Sequence, residues 1–370
     1  MSSPLAPRPS AEGQPQGLLH GITVLEFAAV LAGPSVGSFL AELGAQVIKI
    51  ENARTGGDVT RTWRLPGEST DAPDSAYFAS ANWGKESRFV DLSDPTDAAR
   101  VREWIASADI VLTSFRPGSE TKLGLDADSL FRIQPRLILG RITGYGPDRK
   151  KAAYDLVLQA ETGWMAMNGM PDGPPVKLPV ALVDVLAAHQ LKQGILLALW
   201  QRDRDGRGCV VDVSLYDAAI ASLANQASNY LVAGHIPGRM GSLHPNIAPY
   251  GECFTCADGD ELVLAVGADG QFQALCRVLE HPAWADDKAY ATNPARVEHR
   301  DALANLLAPI FLQATRNEWL NRLETAGVPA GAIRTLDQVF ADPDARRLVR
   351  TDAAGKRVSQ HIFHLSPAGN

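Results

Sequence analysis

The sequence predicts an α/β fold built on a mostly parallel β-sheet. Between residues 21 and 234, short apolar runs typical of buried strands alternate with longer segments whose apolar residues recur at helical spacing. This alternation indicates βαβ units, in which right-handed crossovers join parallel strands. The chain has 370 residues, of which 45% are hydrophobic, so it can bury a large core without disulfide bonds.

The elements follow one another in a regular order along this region. The predicted strands are 22–27, 46–51, 109–115, 136–144 and 210–215. The predicted helices are 32–44, 95–107, 126–133, 185–203 and 216–234. Pro34 suits the first turn of the first helix, where a missing N–H costs nothing.

The pattern changes after residue 234. Residues 235–251 hold three prolines and several glycines, which predicts a linker or lid loop. A hairpin is expected around Asp258-Gly259, followed by two or three helices as far as Ala326 and by a strand at 331–336.

Composition narrows the function classes. The formal charge of −7 disfavours a nucleic-acid partner, and no run approaches the ~18 consecutive apolar residues of a membrane helix. Residues 1–17 are rich in Pro, Ser and Gly, which predicts a disordered tail and not a targeting segment. Four cysteines without a secretion signal are typical of a reduced, cytoplasmic protein.

The sequence disfavours two common kinds of site, a dinucleotide-binding site and a metal site. Glu51 ends the second strand, where dinucleotide-binding folds place an acid, but the preceding loop lacks G-x-G-x-x-G. Cys253 and Cys256 form a lone pair without a second pair of ligands, so packing is the better interpretation and no metal site is expected.

Basic residues are frequent between positions 54 and 151, and several follow predicted strands, where open α/β sheets bind ligands. Each one alone is typical of a solvated surface, but the group indicates a phosphate-binding rim. Its members are Arg54, Arg61, Arg64, Lys85, Arg88, Arg116, Lys122, Arg136, Arg141, Lys150 and Lys151.

Asp184 stands between an apolar run and a long predicted helix. A carboxylate flanked by Val183 and Val185 loses solvation unless a partner receives it. An N-cap is the commoner role for an Asp before a helix. The alternative is a desolvated carboxylate poised as a nucleophile, and the residues alone leave both interpretations open.

A set of ordered landmarks resembles the family III coenzyme A transferases, the group that includes the formyl-CoA:oxalate and carnitine CoA-transferases. The resemblance runs from about Gly21 to about Pro343. The landmarks are GITVLEF with AGP (21–34), LGAQVIKIE (43–51), GGD with a following Arg61, ADIVLTSFRPG (108–118), KLGL (122–125), PRLILGRITGYG (135–146), YDLVLQAETG (154–163), RDGRGCVVDVSLYDA (204–218) and HPNIAPYG (244–251).

The resemblance implies a Rossmann-like large domain, a smaller α+β domain and an interlocked homodimer. Its expected division of the chain is a large domain at 18–234, the linker at 235–251, a small domain at 252–330 and a return to the large domain at 331–370. It also implies that Asp184 is the nucleophile, forming a mixed anhydride and then an aspartyl-CoA thioester that the acceptor carboxylate opens. Acyl-CoA and a small carboxylic acid are then the substrates, and no permanently bound cofactor is expected.

The family's CoA contacts map onto several positions of this chain. By resemblance the CoA-binding residues are Val30, Leu31, Asn52, Arg54, Val90, Ser114, Phe115, Lys122 and Tyr154, and the loop Arg239–Ser242 covers the site. Two positions depart from the family: Asn52 stands where members carry Arg, with Arg54 as a substitute nearby. Leu31 replaces a glutamine of the oxalate-using members, which suggests a less polar acid.

Two alternatives share the scaffold. An α-methylacyl-CoA racemase resembles the chain but carries a His immediately before the Asp that matches Asp155, and this chain has Tyr154 there. A phenol titrates too high to deprotonate an α-carbon readily, which favours the transferase. A non-catalytic acyl-CoA-binding protein is disfavoured by the retention of Asp184 and Tyr154.

Overall fold

The computed structural model describes residues 17–72, 74–352 and 355–366, and these form two compact units. The first unit comprises 17–165, 177–236 and 347–366, and the second comprises 166–176 and 237–346. This division differs from the expected boundaries at three points: 166–176 belongs to the second unit, residues 237–251 of the predicted linker also belong to it, and the return to the first unit begins at 347 and not at 331. The predicted tail lies outside the described residues except for Gly17.

A six-stranded parallel sheet forms the centre of the first unit. Its strands are β1 (Thr23–Glu26), β2 (Gln46–Asn52), β3 (Lys85–Val90), β4 (Ile110–Thr113), β5 (Ile138–Thr143) and β6 (Cys209–Ser214). They lie in the order β3-β2-β1-β4-β5-β6, and every neighbouring pair is parallel. The predicted α/β class with a mainly parallel sheet is therefore confirmed.

Strand β3 is absent from the sequence-based prediction, and its composition explains why. Lys85, Glu86 and Arg88 interrupt any apolar run, so the segment lacks the pattern of a buried strand. Among the described residues β3 pairs with β2 alone, so it lies at the edge of the sheet, a position where charged side chains are common.

Helices cover both faces of this sheet. They are α1 (Ala32–Glu42), α2 (Ala76–Ala81), α3 (Pro95–Ala106), α4 (Ser119–Lys122), α5 (Ala127–Ile133), α6 (Asp155–Glu161), α7 (Trp164–Met167), α8 (Leu182–Asp205), α9 (Leu215–Ala221) and α10 (Ala224–Ala233), with α7 ending in the second unit. Helix α8 begins at Leu182 and not at the predicted 185. The helix predicted at 216–234 is two helices, α9 and α10, separated at 222–223.

Successive residues of β1 illustrate how the sheet is buried on both sides. Val24 packs into a core with α1 and α8, whereas Leu25 packs into the core formed with α3 and α5. Both residues are fully buried, as expected for a parallel sheet covered on its two faces.

Helix α8 is long and apolar enough to cross a membrane by length and composition. Half of its most apolar window is buried, and residues such as Val183, Leu191 and Ile195 belong to the core that packs on α1. Core helices of soluble proteins also meet these criteria of length and apolar composition, so the composition of α8 is weak evidence for a membrane span.

The strand order fixes where a ligand site is expected. From β1 the chain proceeds to β2 on one side, and from β4 it proceeds to β5 on the other side. The connections after β1 and β4 therefore diverge and leave a crevice beyond the carboxyl ends of these two neighbouring strands.

The second unit has its own sheet and core. Its elements are the antiparallel strands β7 (Tyr250–Thr255), β8 (Glu261–Ala265) and β9 (Ala330–Ala332), and the helices α11 (Asp269–Val278), α12 (Asn293–Glu298), α13 (Arg300–Phe311), α14 (Arg316–Thr325), α15 (Leu336–Ala341) and α16 (Pro343–Arg346). The predicted hairpin is confirmed as β7–β8. The chain then returns to the first unit with the hairpin β10 (Val349–Asp352) and β11 (Gly355–Val358).

Candidate active site

Two adjoining cavities open beyond the carboxyl ends of the parallel strands. The first, of about 470 Å³, lies over the ends of β2 and β3 and is called here the β2 cavity. The second, of about 270 Å³, contains Asp184 and is called the Asp184 cavity. Ala29 and Phe115, which follow β1 and β4, line both cavities, so together they occupy the crevice that the strand order predicts.

Asp184 lies in the first turn of α8, and its residue surface is 8% exposed. Ala181 occupies the N-cap position, so the interpretation of Asp184 as the N-cap is wrong. Its carboxylate has no hydrogen-bond partner within the described ranges. Desolvation by burial, reinforced by the charge of Asp155, raises the pKa of Asp184 to about 7.

The role of the cap is performed by Asp155, which begins α6. Its Oδ1 accepts a hydrogen bond from the backbone N–H of Val183 at 2.7 Å, and its Oδ2 accepts one from Nε2 of Gln159 at 2.6 Å. The Oε1 of Gln159 in turn accepts the N–H of Leu178 at 2.8 Å. These bonds fix the start of α8 and therefore the place of Asp184. Sequence reasoning missed Asp155 because its partner lies 28 residues further along the chain.

Tyr154 precedes Asp155 and occupies the N-cap position of α6. It lines the Asp184 cavity and is 63% exposed, so its ring lies toward the open side of that cavity. Tyr154 and Asp184 thus line one cavity, and the role of Tyr154 near the thioester stays a prediction.

The amino end of α1 forms another wall of the Asp184 cavity. Leu31 is the N-cap of the helix, and Val30, Leu31, Ala32 and Gly33 all line the cavity. The backbone N–H groups of Ala32 and Gly33 have no hydrogen-bond partner within the part of the chain that the structure describes, as is usual in the first turn of a helix. Free N–H groups at a helix amino terminus attract negative charge.

The remaining predicted CoA-binding residues divide between the two cavities. Asn52, Arg54 and Val90 line the β2 cavity, Ser114 lines the Asp184 cavity, and Phe115 lines both. Lys122 ends α4, is exposed and is not among the lining residues of either cavity. Their roles in binding CoA stay predictions.

The prediction that Arg61 and Lys85 belong to a phosphate-binding rim is wrong, because the charges of both side chains are paired with carboxylates inside the protein. Arg61 donates to Glu51 at 2.6 and 2.8 Å and also contacts Asp74. Lys85 is buried, with its amine 2.8 Å from Glu26. Arg54, Arg116 and Lys151 do line the cavities.

The loop Arg239–Ser242 and the cysteine pair lie in the second unit. In the loop, the N–H of Gly241 donates to the carbonyl of Gly169 at 2.8 Å, and the covering role of the loop stays a prediction. Cys256 is buried in the core of that unit. Among the described residues there is no group of three or more His, Cys, Asp or Glu that could hold a metal ion.

Similarity to known proteins decides the family. The profile of CoA-transferase family III matches residues 19–363. The chain belongs to this family. It is 43% identical to a succinate–glutarate CoA-transferase of Agrobacterium fabrum over 90% of this chain and 84% of the relative, and 35% identical to the succinyl-CoA:glutarate CoA-transferase of Mus musculus over 90% and 76%.

Solved structures agree with this assignment. A CAIB/BAIF family protein from Brucella suis has a TM-score of 0.84 and 40% identity, covering 95% of this chain and 93% of its own. Because the family and its relatives are CoA-transferases, the chain is an enzyme of this class and uses acyl-CoA and a carboxylic acid as substrates. The racemase and the non-catalytic binding protein are not favoured.

The buried carboxylate predicts a pH-dependent cost in stability. The unfolded chain releases the proton of Asp184 near pH 4, whereas the folded chain keeps it to about pH 7. Stability is therefore lost as the pH rises from 4 to 7 and stays level above. Asp184→Asn is expected to be more stable than the wild type by up to ~4 kcal/mol at pH 8, at ~1.4 kcal/mol per pKa unit, and equally stable near pH 4.

The measurement is urea unfolding of both proteins at the two pH values. Asp217→Asn is the matched control, because Asp217 also lies in the first turn of a helix but is exposed. It should change stability by no more than about 1 kcal/mol at either pH. Equal stability of the wild type and Asp184→Asn at pH 8 would contradict a costly desolvated carboxylate.

Proposed function

We propose that this enzyme transfers CoA from a donor acyl-CoA to an acceptor carboxylic acid through covalent intermediates on Asp184. The observation that carries the proposal is the state of this carboxylate: it is buried in a cavity, has no hydrogen-bond partner among the described residues and shares its cavity with the first residues of α1. A carboxylate held without solvation or partners is primed for nucleophilic attack.

The first half of the exchange loads the enzyme. A carboxylate oxygen of Asp184 attacks the thioester carbonyl of the donor, the carbon–sulfur bond breaks, and a mixed anhydride and CoA thiolate result. The thiolate then attacks Cγ of Asp184, the anhydride carbon–oxygen bond breaks, and the donor acid leaves as a carboxylate. The enzyme now holds CoA as an aspartyl thioester.

The second half is the same chemistry in reverse order. The acceptor carboxylate attacks Cγ of the thioester and releases CoA thiolate, which gives a second mixed anhydride. The thiolate then attacks the acceptor's acyl carbon, forms the new acyl-CoA and restores the Asp184 carboxylate. No net proton or electron is consumed.

Each attack places negative charge on a carbonyl oxygen. In this proposal, the N–H groups of Ala32 and Gly33 stabilise that oxyanion, because both residues line the Asp184 cavity and their N–H groups have no partner among the described residues. The β2 cavity, which shares Ala29 and Phe115 with the Asp184 cavity, would receive the nucleotide end of CoA beside Asn52 and Arg54.

The proposed acceptors are dicarboxylic acids. Of the two relatives described above, one is named for succinate and glutarate and the other for succinyl-CoA and glutarate. A second carboxylate needs a cation, and two cations line the Asp184 cavity. Lys151 is paired with Glu161 at 2.5 Å, whereas the side chain of Arg116 contacts no anion within the described ranges. Leu31 suits the methylene chain of such an acid.

We also propose that the enzyme is an interlocked homodimer. Large apolar side chains remain exposed on α8 and α10, among them Leu197 at 65%, Trp200 at 60% and Val232 at 87%. Exposed apolar side chains in such numbers are typical of a surface that another chain covers. Light scattering of the purified protein measures its molar mass and so tests for the dimer. The cytoplasmic location of the enzyme stays a prediction.

Covalent capture tests the role of Asp184. Incubation with an acyl-CoA and hydroxylamine should convert Asp184 into a hydroxamate, detected by peptide mass spectrometry, with parallel loss of activity. Asp184→Ala should lose at least ~10³-fold in kcat, as expected when a nucleophile is removed. Asp217→Asn is the control: Asp217 also lies in the first turn of a helix but is exposed, so this variant should still form the hydroxamate. Full transfer activity in Asp184→Ala would refute the covalent role.

The raised pKa of Asp184 predicts the pH profile of the free enzyme. Only the ionised carboxylate attacks, so kcat/KM should rise with unit slope below pH 7 and become level above it. At pH 6 the value should be about one tenth of the plateau. A profile that is flat from pH 5 to 8 would show that this group does not limit the reaction.

A matched acid panel tests the acceptor class. With succinyl-CoA as the donor, glutarate should give a kcat/KM at least tenfold above that of valerate, which has the same number of carbons but one carboxylate, since a charged hydrogen bond contributes about 1.5–3 kcal/mol. Equal values for the two acids would exclude recognition of a second carboxylate, while leaving the transfer chemistry intact.

A further inference from the structure

The GGD segment and the Arg61 that follows it have no role in the chemistry above, and the structure shows what they build. Asp58 donates its backbone N–H to Oε2 of Glu51 at 2.9 Å, and Arg61 donates to both oxygens of the same carboxylate. Gly57 has φ +94°, and a Cβ there would lie 2.4 Å from Glu51. The segment is therefore folded tightly around the buried end of β2.

This folding places the side chain of Asp58 in a buried ionic network. Its carboxylate, 1% exposed, lies 3.0 Å from the amine of Lys49 and accepts the N–H and the hydroxyl of Thr60 at 3.0 and 2.8 Å. The amine of Lys49 also contacts Glu26 at 3.0 Å and the carbonyl of Ala28 at 2.8 Å. Asp58 is thus held in place from several sides.

One contact of Asp58 reaches the wall of the Asp184 cavity. Its Oδ2 accepts the backbone N–H of Val30 at 3.1 Å. Val30 has φ +72°, a left-handed conformation that is strained for a β-branched residue. Such a conformation persists only when its surroundings enforce it, and Asp58 supplies the hydrogen bond at this residue.

The left-handed residue stands directly before α1. Leu31, the next residue, is the N-cap, and Ala32 and Gly33 carry the free N–H groups at the Asp184 cavity. Relaxation of Val30 to an ordinary negative φ would turn the peptide planes that follow and move those donors. The strain at Val30 and the placement of the donors are therefore linked.

We propose that Asp58 is a positioning residue for the transfer reaction: its hydrogen bond holds Val30 in the left-handed conformation that aims the amino end of α1 at the reacting carbonyl. The inference rests on the proposed function, because it assigns the α1 donors to the oxyanion. Asp58 itself lines the β2 cavity and not the Asp184 cavity, so it acts through Val30.

Rescue by glycine tests this role. Asp58→Ala is expected to lower kcat by ~10²-fold, the typical effect of displaced oxyanion donors. The double variant Asp58→Ala with Val30→Gly should have a kcat at least tenfold above that of Asp58→Ala, since glycine adopts positive φ without strain. Val30→Ala also shortens the side chain but keeps Cβ, so combining it with Asp58→Ala should raise kcat less than threefold above that of Asp58→Ala. Equal rescue by glycine and alanine, or none by either, would overturn the proposal.

Two further measurements separate positioning from stability. Asp58→Asn keeps an acceptor oxygen for Val30 and should retain at least ten times the kcat of Asp58→Ala, although it loses the charge opposite Lys49. A crystal structure of Asp58→Ala should show Val30 at negative φ, and an unchanged φ would refute the proposal without any activity assay. If Asp58→Ala does not fold, Asp58→Ser, whose hydroxyl reaches one bond less far, takes its place.

The wild type distinguishes this inference from the proposed function. Hydroxamate formation at Asp184 in the wild type establishes the covalent chemistry independently of Asp58. If the wild type forms no hydroxamate, the proposed function fails, while the φ angle of Val30 in Asp58→Ala still decides whether Asp58 holds the turn.

Discussion

The buried amine of Lys49 is the interaction on which the carboxyl edge of the sheet depends. From β2, this amine contacts Glu26 at the end of β1 and Asp58 beyond β2. Lys85 of β3 extends the network, because its amine also contacts Glu26. Removing one partner of a buried ion pair typically costs about 3–5 kcal/mol, because the other charge is left uncompensated. The loops that carry the site are thus anchored to three adjacent strands.

Asp58 and Asp184 show how surroundings give two buried aspartates opposite properties. Burial raises the pKa of Asp58, but Lys49 and Thr60 outweigh it, so that the pKa lies below its ordinary value. Among the described residues, Asp184 has neither a cation nor a hydrogen-bond donor as a partner, and desolvation raises its pKa to about 7. One carboxylate is a structural anchor because it is satisfied, and the other, which is not satisfied, is the nucleophile of the proposed function.

The sequence predicted the parallel sheet well, because strands buried on both faces carry continuous apolar runs such as those of β1 and β4. It failed at β3, whose Lys85, Glu86 and Arg88 have no apolar pattern. In the site, the resemblance named Asp184, Tyr154 and Val30, which line one cavity, although their roles stay predictions. The predicted basic rim included Arg61 and Lys85, whose charges are paired with Glu51 and Glu26. A charge pattern shows that cations exist, and only the fold shows which are already paired.

The start of α8 shows why local reasoning could not assign Asp184. A helix amino terminus needs an acceptor for its free N–H groups, and an aspartate in the first turn is a plausible source. Had Asp184 served as that acceptor, the hydrogen bonds would have stabilised its charge and weakened it as a nucleophile. Asp155 accepts the N–H of Val183 instead, from α6. A tertiary contact therefore caps the helix, and the Asp184 carboxylate is not needed for that role, as the proposed function requires.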